Sequence, residues 1–167
     1  MVRFSKDECR DIIALSETYL PTHSETLFKR EDFNYYYHLI MREESTQWIF
    51  DRVKEYLEVE YPGNTSNKMP CIFLHKYLVG SKFGRHNDST THPDQILNIG
   101  VALNDEYNGG EFVLYEPGEI VPKDVGRIYT IDSKRDHEVL EITKGERWSL
   151  ILFLNAKELN INPTQLI

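Results

Sequence analysis

Hydrophobic and polar positions repeat with two different periods along this chain. From Lys6 to Leu20, the residues Cys9, Ile12, Ile13, Leu15 and Leu20 recur at near-helical spacing. Ser5 stands where an N-cap belongs, and Pro21 stops the run. A second amphipathic helix is predicted over Gln47 to Tyr61, carrying Trp48, Ile49, Val53, Tyr56, Leu57 and Val59 and ending at Pro62-Gly63. Between them, Glu31 to Met41 with Tyr35, Tyr36 and Tyr37 suits a strand or a helix equally. Beyond Gly63 the pattern becomes short strands: Cys71–Leu78, Leu97–Asn104, Glu111–Glu116, Gly126–Asp132, His137–Ile142 and Trp148–Asn155. Asn108-Gly109-Gly110, Pro117-Gly118 and Lys144-Gly145 supply the turn chemistry between them. Helices first and strands afterwards predict an α+β domain with a sandwich or barrel, not a parallel sheet with crossover helices.

The strands also sort their side chains. Along Leu97–Asn104, Leu97, Ile99, Val101 and Leu103 make one apolar face, and Asn98, Gly100 and Ala102 the other. From Arg147 onward, Arg147, Ser149, Ile151 and Phe153 share a face predicted to look into the barrel. Trp148, Leu150, Leu152 and Leu154 are predicted to pack on the helices.

Composition narrows the function classes. At 167 residues the chain is one domain's worth of sequence: residues 1–62 read as helical support and 63–167 as barrel core. Hydrophobic residues at 40% and charged residues at 28% make an ordinary globular mixture with no bilayer-spanning run. Acidic residues near the N-terminus stand where a signal peptide would be apolar, so a cytoplasmic location is expected. A net charge of −8 argues against a nucleic-acid backbone as main partner and leaves the oligomeric state open. Cys9 and Cys71 are too far apart in sequence for a zinc motif, so any metal must be held by imidazole and carboxylate.

Six histidines in a chain with 27 acidic residues should yield about one His-x-acid tripeptide by chance. There are three. His23-Ser24-Glu25 reads as solvated loop, and His92-Pro93-Asp94 carries a proline that fits a turn at the rim of a site. His86-Asn87-Asp88 follows an apolar strand and its continuation. An extended backbone presents its imidazole and carboxylate to one ion, and a second histidine would complete a two-histidine, one-carboxylate set.

Around that tripeptide the chain resembles the prolyl-4-hydroxylase-like 2-oxoglutarate oxygenases. Tyr77-x-x-Gly80-x-x-Phe83-x-x-His86-x-Asp88 is similar to the family's approach to its metal. Leu103-Asn104 followed by Gly109-Gly110-Glu111-Phe112 comes next, then Gly126 to Ser133 with His137-Glu138-Val139. His137 lies 51 residues after His86, and Arg147-Trp148-Ser149 begins 10 residues past His137, where the family places a basic residue. The resemblance covers about Cys71 to Leu154.

It implies a double-stranded β-helix (a jelly-roll, cupin-like barrel) flanked by N-terminal helices. It also implies Fe(II) on His86, Asp88 and His137, and 2-oxoglutarate as cosubstrate on Arg147, Ser149 and Tyr77. Dioxygen is the oxidant, and the family allows ascorbate as a reductant. The implied reaction hydroxylates an unactivated C–H of a prolyl residue, an amino acid or a similar small molecule, releasing succinate and carbon dioxide. Related halogenases carry a small residue where Asp88 stands, so its carboxylate favours hydroxylation. The candidate substrate contacts are Arg85, His92 and Tyr36, with the loop Ser89–Gln95, the cluster Tyr35–Tyr37 and His75 beside them. In some relatives a tyrosine that contacts 2-oxoglutarate aligns near Ala102, and this chain lacks it.

Plainer readings exist for each residue alone. Arg147 could pair with Glu141, Tyr77 could be core, and His137 could be a hydrogen-bonded structural histidine. Non-catalytic metal or 2-oxoglutarate binding by a cupin-like module, and oxygen-independent zinc chemistry, are the competing functions.

Overall fold

The computed structural model describes residues 1–18, 26–62, 69 and 71–155. Leu20, Pro21, His23 and Gly63 lie outside them.

Helix α1 (Lys6–Thr18) starts in a reciprocal cap: the Ser5 hydroxyl accepts from the Glu8 amide, and the Glu8 carboxylate accepts from the Ser5 amide at 2.7 Å. Two strands follow, β1 (Thr26–Arg30) and β2 (Phe33–Met41), before helix α2 (Gln47–Glu60). The remaining elements are β3 (Cys71–Tyr77), β4 (Lys82–His86), a 3-10 turn (Asp88–Thr90), β5 (Gln95–Ala102), β6 (Asn108–Gly109) and β7 (Phe112–Leu114). They continue with β8 (Glu119–Val121), β9 (Ile128–Asp132), β10 (His137–Val139), β11 (Ile142–Lys144) and β12 (Arg147–Asn155).

Ten strands form one antiparallel sheet in the order β8-β7-β10-β4-β2-β3-β12-β5-β9, with β1 paired to β2, while β6 and β11 make a separate two-stranded pair. The sheet curls into the expected double-stranded β-helix, and the two helices cover one face. Cys9 and Ile12 of α1 and Ile49, Phe50, Val53 and Leu57 of α2 are buried in one cluster with Leu97, Ile99, Val101, Trp148, Leu150, Leu152 and Leu154. Each such side chain contributes roughly 1.5–3 kcal/mol through burial. Both predicted strand faces thus fall as the alternation requires. Within α2, Phe50 is buried and Val59 is exposed, against the expected apolar stripe.

The helical reading of residues 1–62 needs correction. Residues 26–41 form a hairpin, and β2 is interior to the sheet, with β1 along one edge and β4 and β3 in succession along the other. Tyrosines favour a pleated surface, and pairing on both edges of β2 decides what the local sequence left even. Among the described residues no helix is long and apolar enough to cross a membrane.

Candidate active site

The register brings the two distal histidines together. Antiparallel pairing of β4 with β10 sets His86 directly opposite His137, their ring centroids 4.4 Å apart. Asp88 opens the 3-10 turn and is not itself in a strand. Extended Asn87 (φ −126°, ψ 149°) still throws the carboxylate to the side of His86. Nε2 of His86 lies 3.6 Å from one Asp88 oxygen, and Nε2 of His137 lies 3.4 Å from the other.

Hydrogen bonding fixes how these rings are protonated. Nδ1 of His86 meets the Gly84 carbonyl at 2.7 Å, and Nδ1 of His137 meets the Arg135 carbonyl at 2.9 Å. A carbonyl only accepts, so both Nδ1 atoms donate, and in the neutral rings both Nε2 lone pairs face the carboxylate. Burial, with His86 alongside, lowers the His137 pKa and favours that neutral form. Burial raises the cost of charging Asp88, but the facing His86 and His137 and the Asn98 amide outweigh it and hold the carboxyl below its ordinary range. Nε2 of His86 is buried without a hydrogen-bond partner. Two lone pairs and an anion converge, all within 4.8 Å of one another, a donor set that a divalent cation satisfies.

Outer partners hold the set in place. The Gln95 amide donates to Asn98, whose amide donates to Asp88 Oδ2, and the Ser133 hydroxyl donates to the Gln95 carbonyl. Asn87 caps the 3-10 turn through Thr90 N and reaches Asp136 at 2.9 Å.

The same cavity contains a second charged centre. Asp88, His137, Tyr77, Gly100, Tyr129 and Arg147 all line it. Arg147 is only 4% exposed, donates to Ser149 Oγ at 3.0 Å and lies 5.0 Å over the Tyr77 ring. Glu141 is exposed, and among the described residues no carboxylate pairs with Arg147. Burial raises the phenols of Tyr77, Tyr107 and Tyr129 against the opposing pull of Arg147, so all three remain protonated donors near neutral pH. A buried cation among neutral donors is a ready carboxylate site.

Tyr129 had no signal in the sequence. It pairs with Gly100 across β9 and β5, and a Cβ on Gly100 would come within 2.3 Å of its ring. The missing side chain therefore lets a tyrosine enter the cavity from the neighbouring strand, although position 102 holds alanine.

The substrate candidates separate. His92 and His75 line an outer groove of about 690 Å³ that runs past Asp88 and His86. Tyr35 and Tyr37 line it too, whereas Tyr36 points to the opposite face over Lys76, since strand side chains alternate. Arg85 is likewise turned away: it pairs with Asp136 at 2.9 Å and stacks 3.9 Å over Tyr115. Both expectations are corrected, since neither residue lines the groove: strand parity turns Tyr36 away, while the irregularity in β4 that sets both Phe83 and His86 into the groove leaves Arg85 outside it.

Residues 72–155 match the family model of the 2OG-Fe(II) oxygenase superfamily, 2OG being 2-oxoglutarate. Among solved structures, the chain is similar to an oxidoreductase of the 2OG-Fe(II) oxygenase family from Burkholderia pseudomallei (TM-score 0.74, 19% identity, covering 93% of this chain and 82% of that one). It is similar to a Pseudomonas putida prolyl-4-hydroxylase (TM-score 0.70, 17% identity, 91% and 88% covered). A third likeness is to a Trichoplax adhaerens prolyl hydroxylase in complex with a hypoxia inducible factor oxygen degradation domain peptide fragment (TM-score 0.72, 14% identity, 90% and 79% covered). At these identities the likeness is one of fold. No curated protein sequence matches the chain.

Proposed function

The chain belongs to the 2OG-Fe(II) oxygenase superfamily, and on that premise we propose that it hydroxylates an unactivated C–H of a prolyl residue, an amino acid or a similar small molecule. The observation that carries this reading is Arg147, a buried cation with no carboxylate partner among the described residues, in one cavity with the His86, Asp88 and His137 side. A plain metal-binding barrel has no use for such a cation. In this reading the whole chain acts as a single oxygenase domain.

His86, Asp88 and His137 would hold Fe(II), which when bound supplies the redox chemistry coupling 2-oxoglutarate decarboxylation to substrate oxidation. Arg147 would grip the distal carboxylate of 2-oxoglutarate. Ser149 accepts from Arg147 and so keeps its own proton free for the same carboxylate. Tyr77 walls the anchor, and Tyr129 adds a hydroxyl from above Gly100. Asn98, itself held by Gln95, keeps the Asp88 carboxylate oriented and ionised. The apolar walls Ile151, Phe153 and Ile131 exclude water from the cavity. The net reaction converts R–H, O2 and 2-oxoglutarate into R–OH, succinate and CO2, one atom of dioxygen entering each of the first two products. Ascorbate acts here as an external reductant that should prolong turnover.

Anaerobic titration of the Fe(II)-loaded protein with 2-oxoglutarate tests the reading. A weak visible charge-transfer band should grow in, and should fail to appear in Arg147→Ala. Tight iron with no band would favour the non-catalytic barrel, and succinate release independent of any added substrate would argue against hydroxylation.

A further inference from the structure

The outer groove has a charge pattern that the fold does not require. It extends from Asp88 and His86 to the β1–β2 hairpin. Its walls are aromatic, among them Phe28, Phe33, Tyr35, Phe73, Phe83 and Phe153. Their rings interlock, with centroids 4.8 Å apart for Phe33 and Phe83, 5.4 Å for Phe28 and Tyr35, and 5.2 Å for Phe73 and Phe153. Although 27 of 167 residues are acidic, Asp88 is the one carboxylate among the groove's described lining residues.

Arg30 stands at the hairpin end, its guanidinium 5.2 Å over the Phe28 ring. Arg3, Arg52, Arg85 and Arg135 each reach a carboxylate. Arg30 has no such partner among the described residues. Stacking on Phe28 holds it at the groove, where Asp88 is the one carboxylate that an incoming anion faces among the described lining residues.

We propose that this groove takes a substrate combining an apolar ring with a carboxylate, the ring between the aromatic walls and the carboxylate on Arg30. The proposal rests on the oxygenase reading only in placing the oxidised C–H at the Asp88 end. Strand register sets the length. Arg30 pairs with Phe33, Phe33 pairs with Phe83, and His86 lies three residues further along β4. Two inter-strand steps and three residue rises separate the Arg30 and His86 Cα atoms by on the order of 14 Å. Two rings, Phe28 and Phe33, stand in series between the Arg30 guanidinium and His86, whereas free proline carries its carboxylate directly on a single ring. The carboxylate therefore belongs to an elongated aromatic acid or to an acidic residue flanking a ring residue in a peptide.

Calorimetric titration of the protein loaded with Mn(II) and 2-oxoglutarate distinguishes these sources. Biphenyl-4-carboxylate is compared with its neutral carboxamide, and a capped Glu-Ala-Pro-Ala peptide with its Gln counterpart. We expect the acid to bind about fivefold tighter than the amide in one pair, the scale of a charge-assisted bond at a partly exposed site. Arg30→Gln should abolish that preference and leave 2-oxoglutarate affinity unchanged. The pair that shows the preference identifies the source. Equal affinity of acid and amide in both pairs, no binding by any probe, or a preference that survives Arg30→Gln would overturn the proposal. If 2-oxoglutarate itself fails to bind, the oxygenase reading has failed instead. The acid–amide comparison is then read on the unloaded protein, because Arg30 is no part of the cosubstrate site.

Discussion

The two faces of β12 stand one residue apart and serve opposite ends. Outward, Trp148, Leu150, Leu152 and Leu154 meet the helices in an apolar cluster where every side chain is buried. Inward, Arg147 and Ser149 are just as buried, yet they are polar, and no described carboxylate cancels the charge of Arg147. Burying a lone cation is unfavourable. The helix-covered face therefore has to supply stability that the inner face gives up, and the two should respond oppositely to substitution.

The largest effect is expected where the cavity reaches the His86, Asp88 and His137 set. His137→Ala should abolish Fe(II) binding, a greater loss than the roughly 10–100-fold that follows removal of an outer partner, while the thermal midpoint changes little. His92→Ala, at the groove rim, should leave iron binding intact. Metal titration with parallel melts checks both, and iron retained by His137→Ala would remove it from the set.

On the outer face, Leu150→Ala should destabilise the fold by about 2–5 kcal/mol by leaving a cavity among rigid neighbours. At a temperature where the variant is still folded, its 2-oxoglutarate affinity should be unchanged. Arg147→Met is the mirror image: cosubstrate affinity should fall about 10- to 100-fold, the range for losing a charge-assisted fork. Its stability should hold or rise, because a desolvated charge has gone. A destabilised Arg147→Met would show that the guanidinium holds the fold together, and the contrast between the faces would collapse.

Acid should expose the inner face next. Burial, then the nearby Arg147, pushes the His75 pKa down to about 3. The unfolded chain takes up that proton near the ordinary histidine value of about 6.5. Between those limits the unfolded state binds more protons, so stability is intact above about pH 6.5 and falls as pH drops, by up to about 1.4 kcal/mol per pH unit for this one site. Denaturant melts across that window should show a shallower slope in His75→Gln, and an identical slope would mean His75 is not held neutral.

Which of these residues the sequence disclosed follows from the range of the signal. Alternation along β5 and β12 spans eight and nine residues, long enough for periodicity alone to separate outer from inner side chains. His86, Asp88 and Arg147 stand out in the sequence because imidazole, carboxylate and guanidinium each have few chemical substitutes. The strands β6, β8 and β11 have two or three residues and carry no period. Tyr35, Tyr36 and Tyr37 are sorted only by β2 being a strand, because parity then sends the middle ring away from the groove. Arg85 adjoins His86 in sequence, but β4 is irregular where it pairs with β10, a break no local pattern encodes, and its side chain leaves the site for Asp136.

The smallest predicted effect tests what was least legible, the apposition of Tyr129 and Gly100. It depends on register between strands about thirty residues apart, and no local pattern encodes it. If the Tyr129 hydroxyl serves the cosubstrate in place of a tyrosine at position 102, Tyr129→Phe should weaken 2-oxoglutarate binding by about tenfold or less. Gly100→Ala should do at least as much, since its Cβ would meet the Tyr129 ring at 2.3 Å and drive it off the strand. In a Tyr129→Leu background the alanine has less ring to displace, so its added effect should largely vanish. Such non-additivity is the signature of two residues acting through one contact. Full additivity of the two substitutions would mean that Gly100 serves the backbone alone and that Tyr129 is a wall of the cavity, not a donor within it.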